Sequence, residues 1–293
     1  MLPRELYLPP AGDDKAQWMT ICYIDGALTR EEVHSTSGES DAYFGFVRRI
    51  STDNGRTWST PQPIPNVTQQ LPDGGMADYP GNTIFDPALG IAYQKRMLRT
   101  WPGMKLYTYN WSDHEHPYSD HTFVVENGVD RLMRYEDGPD YDPERPFDPA
   151  FTVTNRAYYG VGMALGSDGA AYFPIVCFKP GAEFSYNRAG LVLMRRDPAT
   201  GQWAASTQQY LTPEESSRGL LEPDVAVLKD GRILIICRGS DTPTTPGRKW
   251  FSVSEDGGKT LSPLEELRYD DGSRFYSPSS IHRLVRSARN GRL

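Results

Sequence analysis

Two nonapeptides of the chain share one pattern: Ser51-Thr52-Asp53-Asn54-Gly55-Arg56-Thr57-Trp58-Ser59 and Ser254-Glu255-Asp256-Gly257-Gly258-Lys259-Thr260-Leu261-Ser262. Both read S-x-D-x-G-x-T-[W/L]-S, and both follow a run with strand character. Asp and Ser side chains bond turn backbone, Gly adopts positive φ, and Trp or Leu anchors a turn by packing. The repeat therefore predicts a structural turn, with a weaker third copy expected from Arg196 to Trp203.

The sequence around these turns predicts an all-β domain. The chain has 293 residues with 27 Gly and 24 Pro, so turns are frequent, and 38% hydrophobic with 12% aromatic residues is enough for a core. Helical periodicity is almost absent, whereas short β-branched and aromatic runs recur. Strands are predicted at 42–50, 105–109, 122–126, 172–178, 190–195, 225–228, 232–237 and 249–254. The middle of the chain, 60–150, is interpreted as long loops.

Charge and cysteine usage exclude several classes of protein. The formal net charge of −7 excludes the basic field that nucleic-acid binding needs. The longest apolar runs, such as 233–237, are far below the ~18 residues of a membrane span, and the first residues show no secretory signal. Cys22, Cys177 and Cys237 lie in apolar stretches without metal or disulfide spacing, which predicts buried thiols.

The repeated nonapeptide resembles the Asp-box of the sialidase superfamily. This resemblance implies a six-bladed β-propeller, and the spacing of Trp58, Trp203 and Leu261 fits blades of about 40–60 residues. We therefore expect a single sialidase-like propeller domain over 1–293 with five to six blades present. The chain stops at a turn signal, so it is expected to be a fragment lacking its last blade or blades.

The resemblance also implies the first part of a site. Asp41 precedes a strand that ends in the first nonapeptide, which is the place of the sialidase general acid/base. A carboxyl there would protonate the leaving oxygen. Arg4, before a strand, and Arg30, eleven residues before Asp41, are the candidate substrate-binding arginines of the amino-terminal half.

The second part of the site follows from a hairpin. Glu222 opens a strand, Asp230-Gly231 turns the chain, and Arg238 ends the returning strand. An antiparallel hairpin returns to where it began, so Glu222 and Arg238 should lie together at one end of the sheet. This element resembles the sialidase segment in which Glu polarises a nucleophilic Tyr and Arg holds the substrate carboxylate.

The remaining family parts are incomplete. Tyr159 lies in an aromatic loop that could line a sugar site. The third arginine and the Tyr nucleophile of the family are not found; Arg274 and Tyr276 offer only a substitute pair, in a segment that resembles the one before that arginine. The chain as given is therefore expected to lack a complete site.

The resemblance implies an exo-acting, retaining glycoside hydrolase on a terminal, sialic-acid-like sugar, with a glycan as substrate and no metal or cofactor. It also implies a secreted or periplasmic protein, whereas the oligomeric state stays undetermined. Two alternatives remain open at this point. One is a propeller exo-glycosidase for another polysaccharide sugar, and the other is a non-catalytic Asp-box propeller that binds carbohydrate.

Overall fold

The computed structural model describes residues 17–24, 27–34, 46–63, 68–71, 74–102, 119–145, 148, 151, 154–179, 189–274, 277–287 and 289–293. In these ranges the fold is all-β, and only Phe151, Thr154 and Asn155 are helical. The chain divides into two units, one of 1–75 with 103–117 and one of 76–102 with 118–293.

The first unit contains one antiparallel meander. It runs in the order β1-β2-β3-β4. Its strands are β1 (Gln17–Ile24), β2 (Ala27–His34), β3 (Phe46–Ser51) and β4 (Gln62–Pro63); β5 (Thr68–Leu71) follows in the same unit but is not part of this meander. Each of the first three pairs is antiparallel.

The second unit holds three successive sheets. Sheet 2 has the neighbours β6 (Gly74–Asp86), β7 (Ile91–Pro102), β8 (Ser119–Glu126) and β9 (Val129–Leu132). Sheet 3 comprises β10 (Tyr158–Tyr159), β11 (Ala164–Leu165), β12 (Ala171–Phe178), β13 (Ala189–Arg196), β14 (Trp203–Ala205) and β15 (Gln209–Tyr210). Sheet 4 is the meander β16 (Leu221–Val227), β17 (Ile233–Arg238), β18 (Lys249–Ser254) and β19 (Glu265–Glu266).

Seven of the eight predicted strands coincide with β3, β8, β12, β13, β16, β17 and β18, and the eighth, 105–109, lies outside the described residues. The interpretation of 60–150 as long loops is wrong, because β6 to β9 occupy much of it. The all-β antiparallel prediction is confirmed, whereas the number of blades and the single domain stay predictions. Among the described residues, none of the helical structure is long and apolar enough for a membrane span.

The two nonapeptides form the same hydrogen-bond network. In the second copy, Ser254 Oγ accepts the N–H of Gly258 at 2.8 Å, and the Asp256 carboxylate accepts both the N–H (2.9 Å) and the hydroxyl (2.6 Å) of Thr260. In the first copy, Ser51, Asp53, Gly55 and Thr57 make the corresponding bonds at 2.8, 2.9 and 2.6 Å. These bonds hold the pKa of both aspartates at about 2. The repeat is therefore a structural turn, as predicted.

The expected third copy is wrong. Asp197 Oδ1 instead accepts the N–H groups of Ala199 and Thr200 at 2.8 and 3.1 Å, in the turn Asp197-Pro198-Ala199-Thr200-Gly201. The turn Asp86-Pro87-Ala88-Leu89-Gly90 makes the same bonds, to Ala88 at 2.8 Å and Leu89 at 3.2 Å. Both turns end on a glycine with positive φ, at 72° and 67°. The chain thus carries a second repeated turn, D-P-A-x-G.

Sheet 3 is buried on both faces. Alternate residues of β12 point to opposite sides, so Phe173 and Ile175 pack with the sheet 2 residues Tyr93 and Val124. The other face, with Leu191 and Leu193 of β13, packs with Val225, Ile233 and Ile235 of sheet 4. Because both faces are covered, every residue of β12 is buried. Cys177 and Cys237 are free, buried thiols in these cores, as predicted; Cys22 lies in β1.

Candidate functional site

Glu222 and Arg238 lie together, as the hairpin predicted. Leu221 of β16 pairs with Arg238 of β17, and the register is irregular between Leu221 and Asp224. At this bulge Glu222 has a φ of +47°, which L-residues rarely adopt. The bulge brings the Glu222 carboxylate to 2.8 Å from Arg238 Nη1, with both side chains less than 20% exposed. The pair is charge-assisted and largely shielded from water.

Two further titratable side chains, Lys249 and Tyr158, are affected by the charge of Glu222. Lys249 pairs with Arg238 in register, and its pKa is lowered by burial and by the charge of Arg238, while Glu222 opposes that shift. Tyr158 has its pKa raised, first by burial and then by Tyr159, with Glu222 adding to the effect. The carboxylate of Glu222 therefore interacts with Arg238 and raises the pKa values of both Lys249 and Tyr158.

His282 is a further titratable side chain affected by the charges of Lys249 and Glu222. Its Nε2–H donates to the carbonyl of Ile236 at 2.9 Å, which assigns the tautomer because a carbonyl only accepts. Burial lowers the pKa of His282, and the charge of Lys249 lowers it further. The pKa of the imidazole is thus lowered by its burial and by a neighbouring lysine, whereas the charges of Asp224 and Glu222 oppose this shift.

Lys95 is a site residue that the sequence reasoning missed. Its Nζ donates to the carbonyls of Gly160, at 2.8 Å, and Val161, and it lies 4.9 Å from the centre of the Tyr159 ring. Burial lowers the pKa of this amine to about 7; Arg283 lowers it further and Asp224 opposes the shift. The alternation of residues along β7 could have indicated its burial, because Lys95 lies between Tyr93 and Met97 on the buried face of the strand.

Asp224 and Arg283 complete the surroundings of Lys95. Asp224 is 2% exposed, and its Oδ2 accepts the N–H of Leu284 at 2.6 Å. Arg283 Nε lies 3.9 Å from the same oxygen, and its Nη1 donates to the carbonyl of Val161 at 2.6 Å. The Val161 carbonyl thus accepts hydrogen bonds from both Lys95 and Arg283, close to the buried carboxylate of Asp224.

Arg99 and Asp120 form a buried bidentate pair in the same unit. Two bonds of 2.6 and 2.9 Å join them across β7 and β8, where they are register partners. The Arg99 guanidinium also lies 5.8 Å from the Tyr79 ring, and both members of the pair affect the pKa of Tyr159, which burial raises to about 12. Tyr159 therefore lies among charged groups.

The predicted residues divide into three groups. Glu222 and Arg238 are in contact. The Tyr159 ring centre lies 5.5 Å from that of Tyr158, and the charge of Glu222 raises the pKa of Tyr158. Arg30 lies in β2 opposite Ile21 and Arg49, in the first unit. Asp41, Arg4 and the substitute phenol of Tyr276 lie outside the described residues. The roles of Asp41, Glu222, Arg238, Arg4, Arg30 and Tyr159 stay predictions.

Comparisons with known proteins were made at three levels. No family model matches the chain, and no curated protein matches it. A Dyadobacter fermentans protein of unknown function is 16% identical with a TM-score of 0.59, covering 95% of this chain and 74% of its own. An ulvan lyase of polysaccharide lyase family PL25, bound to -[GlcA(1-4)Rha3S]-, is 12% identical with a TM-score of 0.50, covering 85% and 55%.

The NanB sialidase from Streptococcus pneumoniae is 12% identical with a TM-score of 0.49, and the match covers 91% of this chain and 54% of the sialidase. The chain thus spans about half the length of the sialidase and of the ulvan lyase. The likeness to the Dyadobacter protein and to the ulvan lyase is one of fold alone, an all-β fold built from antiparallel sheets.

Proposed function

We propose that this chain is a carbohydrate-active β-propeller, and specifically an exo-acting, sialidase-like glycoside hydrolase that removes a terminal, carboxylate-bearing sugar with retention. The observation that carries the proposal is the Glu222–Arg238 pair at a strained bulge. A residue at φ +47° is maintained only when its surroundings fix it, and such strain concentrates at functional sites. The matching turns after β3 and β18, which we propose to be Asp-boxes, support the same family.

The chemistry of the pair suits an acidic sugar. A sialic acid carries a carboxylate on its anomeric carbon, so a carboxylate nucleophile would be repelled, whereas a phenol polarised by Glu222 would not. Arg238 supplies a fixed planar cation for the substrate carboxylate, which a lysine reproduces poorly. Asp41 is the proposed acid that protonates the leaving oxygen. Burial raises the pKa of Tyr158, the opposite of what a nucleophilic phenol needs, so this phenol is not the proposed nucleophile.

The test is turnover of a fluorogenic sialoside beside neutral glycosides by the full-length protein, because the third arginine and the nucleophile are not found in the chain as given. Asp41→Ala and Glu222→Gln are each expected to lower kcat by about 10²–10⁴-fold while substrate binding is retained. Asp230→Asn, which removes an exposed hairpin carboxylate from the same sheet, is the matched control and should keep full activity. Wild-type protein that hydrolyses no sialoside, or an Asp41→Ala variant with unchanged turnover, would contradict the proposal.

A second candidate is an enzyme of the same fold acting on another acidic sugar, such as a uronic acid residue of a polysaccharide. Arg238 favours it as well, because one guanidinium recognises any sugar carboxylate. Activity on a uronide together with none on a sialoside would select this candidate. Binding of either glycan without turnover would select the non-catalytic, carbohydrate-binding alternative.

A further inference from the structure

The end of sheet 4 that holds Glu222 and Arg238 also carries a cluster of arginines. Leu221 pairs with Arg238, Arg238 with Lys249, and Trp250 with Glu266, so the start of β16 and the end of β19 lie at the same end of sheet 4, on its two opposite edges. Strands lie about 4.8 Å apart, which puts β19 about 14 Å from β16. That separation is one that a short oligosaccharide bridges.

Three guanidinium groups surround the single carboxylate of Glu266. Arg248 Nε lies 2.6 Å from Oε1, Arg268 Nη2 lies 2.8 Å from Oε2, and Arg274 Nε lies 3.2 Å from Oε2. Glu266 is the carboxylate that all three guanidinium groups contact, and it cannot engage every N–H donor of three arginines, while Glu265, Asp270 and Asp271 add negative charge close by in the chain. We call Arg248, Arg268 and Arg274 the arginine cluster.

The arginine cluster is open to ligands on its outer side. The side chains of Arg268 and Arg274 are 40% and 60% exposed, whereas Glu266 is only 10% exposed. Each guanidinium has five N–H donors, and one carboxylate cannot engage those of three arginines. Donors therefore remain available to an oxyanion from solvent.

An aromatic ring lies next to the cluster. Tyr269 follows Arg268 in the chain and is 59% exposed. The apolar face of a sugar can stack on such a ring. Two carboxylates follow it, Asp270 and Asp271, of which Asp271 accepts the N–H of Ser273 at 2.8 Å. Their negative charge opposes the binding of an anion, so removing it by substitution provides an internal control.

We propose that the arginine cluster is a second sugar subsite, which binds an oxyanion group, carboxylate or sulfate, on an inner residue of an acidic glycan. This inference rests on the proposed function, because the terminal sugar of the same glycan would lie at Glu222 and Arg238. The substrate class is thereby a polyanionic glycan, since a single terminal charge would need only Arg238. Glu266 holds the guanidinium groups in place, and Tyr269 packs against the sugar ring.

The test measures binding of three polymers to the full chain: polygalacturonate for carboxylate, dextran sulfate for sulfate, and neutral dextran. The double variant Arg268→Gln with Arg274→Gln is expected to lose at least tenfold in affinity for one or both anionic polymers. It keeps Arg248 on Glu266, so the fold should survive. Asp270→Asn should raise the same affinity, because it removes a nearby negative charge. The losses should shrink in about 1 M salt, where exposed charges are screened.

Arg232→Gln is the matched control, since Arg232 is an exposed arginine of sheet 4 at the opposite end, paired with Asp230. It should change affinity less than twofold. Equal losses in the control and in the double variant, or wild-type protein that binds neither anionic polymer, would overturn the subsite. Failure of the proposed function is a separate result: it would appear as absent turnover of every terminal glycoside, while the polymers still bound in an Arg268-dependent and Arg274-dependent way.

Discussion

The amine of Lys95 occupies a buried position in β7, with two backbone carbonyls and the Tyr159 ring as its neighbours. Burial lowers its pKa from 10.5 to about 7. Between these two values the unfolded chain binds more protons at this site than the folded chain does. Stability therefore rises with pH across this window, and the cost of the buried charge is fully present below pH 7.

Lys95→Met should remove this pH dependence, because methionine fills a similar volume without a titratable group. We expect the free energy of unfolding of the wild type to rise from pH 7 to pH 10 relative to that of the variant, in urea titrations at several pH values. Lys229→Met is the control, since Lys229 is exposed in a hairpin. A wild-type profile parallel to that of Lys95→Met would show that Lys95 keeps an ordinary pKa.

At the level of elements, the bulge of β16 explains the position of Glu222. The pairing slips between Leu221 and Asp224, and the two residues of the slip are Glu222 and Pro223. A proline cannot donate to the ladder, so the irregularity costs no bond at that position. At this bulge the Glu222 carboxylate contacts Arg238.

A pair of substitutions tests the strain at this bulge. Glu222→Gly and Glu222→Ala both remove the carboxylate and its ion pair, but only alanine keeps a Cβ at φ +47°. Glycine should therefore be more stable than alanine by about 1 kcal/mol, the reverse of the usual order within a strand. Chemical denaturation of both variants measures the difference. Alanine equal to or above glycine would mean that Glu222 is not strained.

The elements that the sequence predicted are those with local signals. The hairpin around Asp230-Gly231 and the turn at Asp256 depend on residues close in the chain, so their geometry could be read directly. The long strands β6 and β7 were missed, because buried Lys95 and Arg99 interrupt the apolar pattern of β7. The bulge at Glu222 was missed as well, since register depends on the partner strand. The arginine cluster depends on Arg248, next to β18, reaching Glu266 of β19, and on the turn after β19 bringing Arg274 back to the same carboxylate.

In the second unit as a whole, sheets 3 and 4 meet with very little space between their backbones. The N–H of Val161 donates to the carbonyl of Pro223 at 2.7 Å, and Gly160 donates to Pro174 at 3.0 Å. A Cβ at Gly160 would lie 2.2 Å from the Pro174 oxygen and 2.6 Å from that of Pro223. Only glycine fits there without moving one sheet against the other.

Gly160→Ala should therefore destabilise the second unit through steric overlap, by about 3 kcal/mol. The control is Gly231→Ala, at a glycine with φ +88° and open space around it, which should cost only about 1 kcal/mol. Thermal or urea unfolding compares the two variants. Equal losses of unfolding free energy in the two variants would indicate that sheets 3 and 4 can move apart at Gly160 without a loss of stability.

The sulfur atoms of Cys177 and Cys237 lie in the two apolar layers on opposite sides of sheet 3, one against sheet 2 and one against sheet 4. A thiol reagent in solution can reach either atom only after the corresponding layer opens, and burial further suppresses the reactive thiolate by raising both pKa values. The two thiols thus report on local opening of the protein, one for each layer. The cysteine that is alkylated faster would identify the layer that opens more readily.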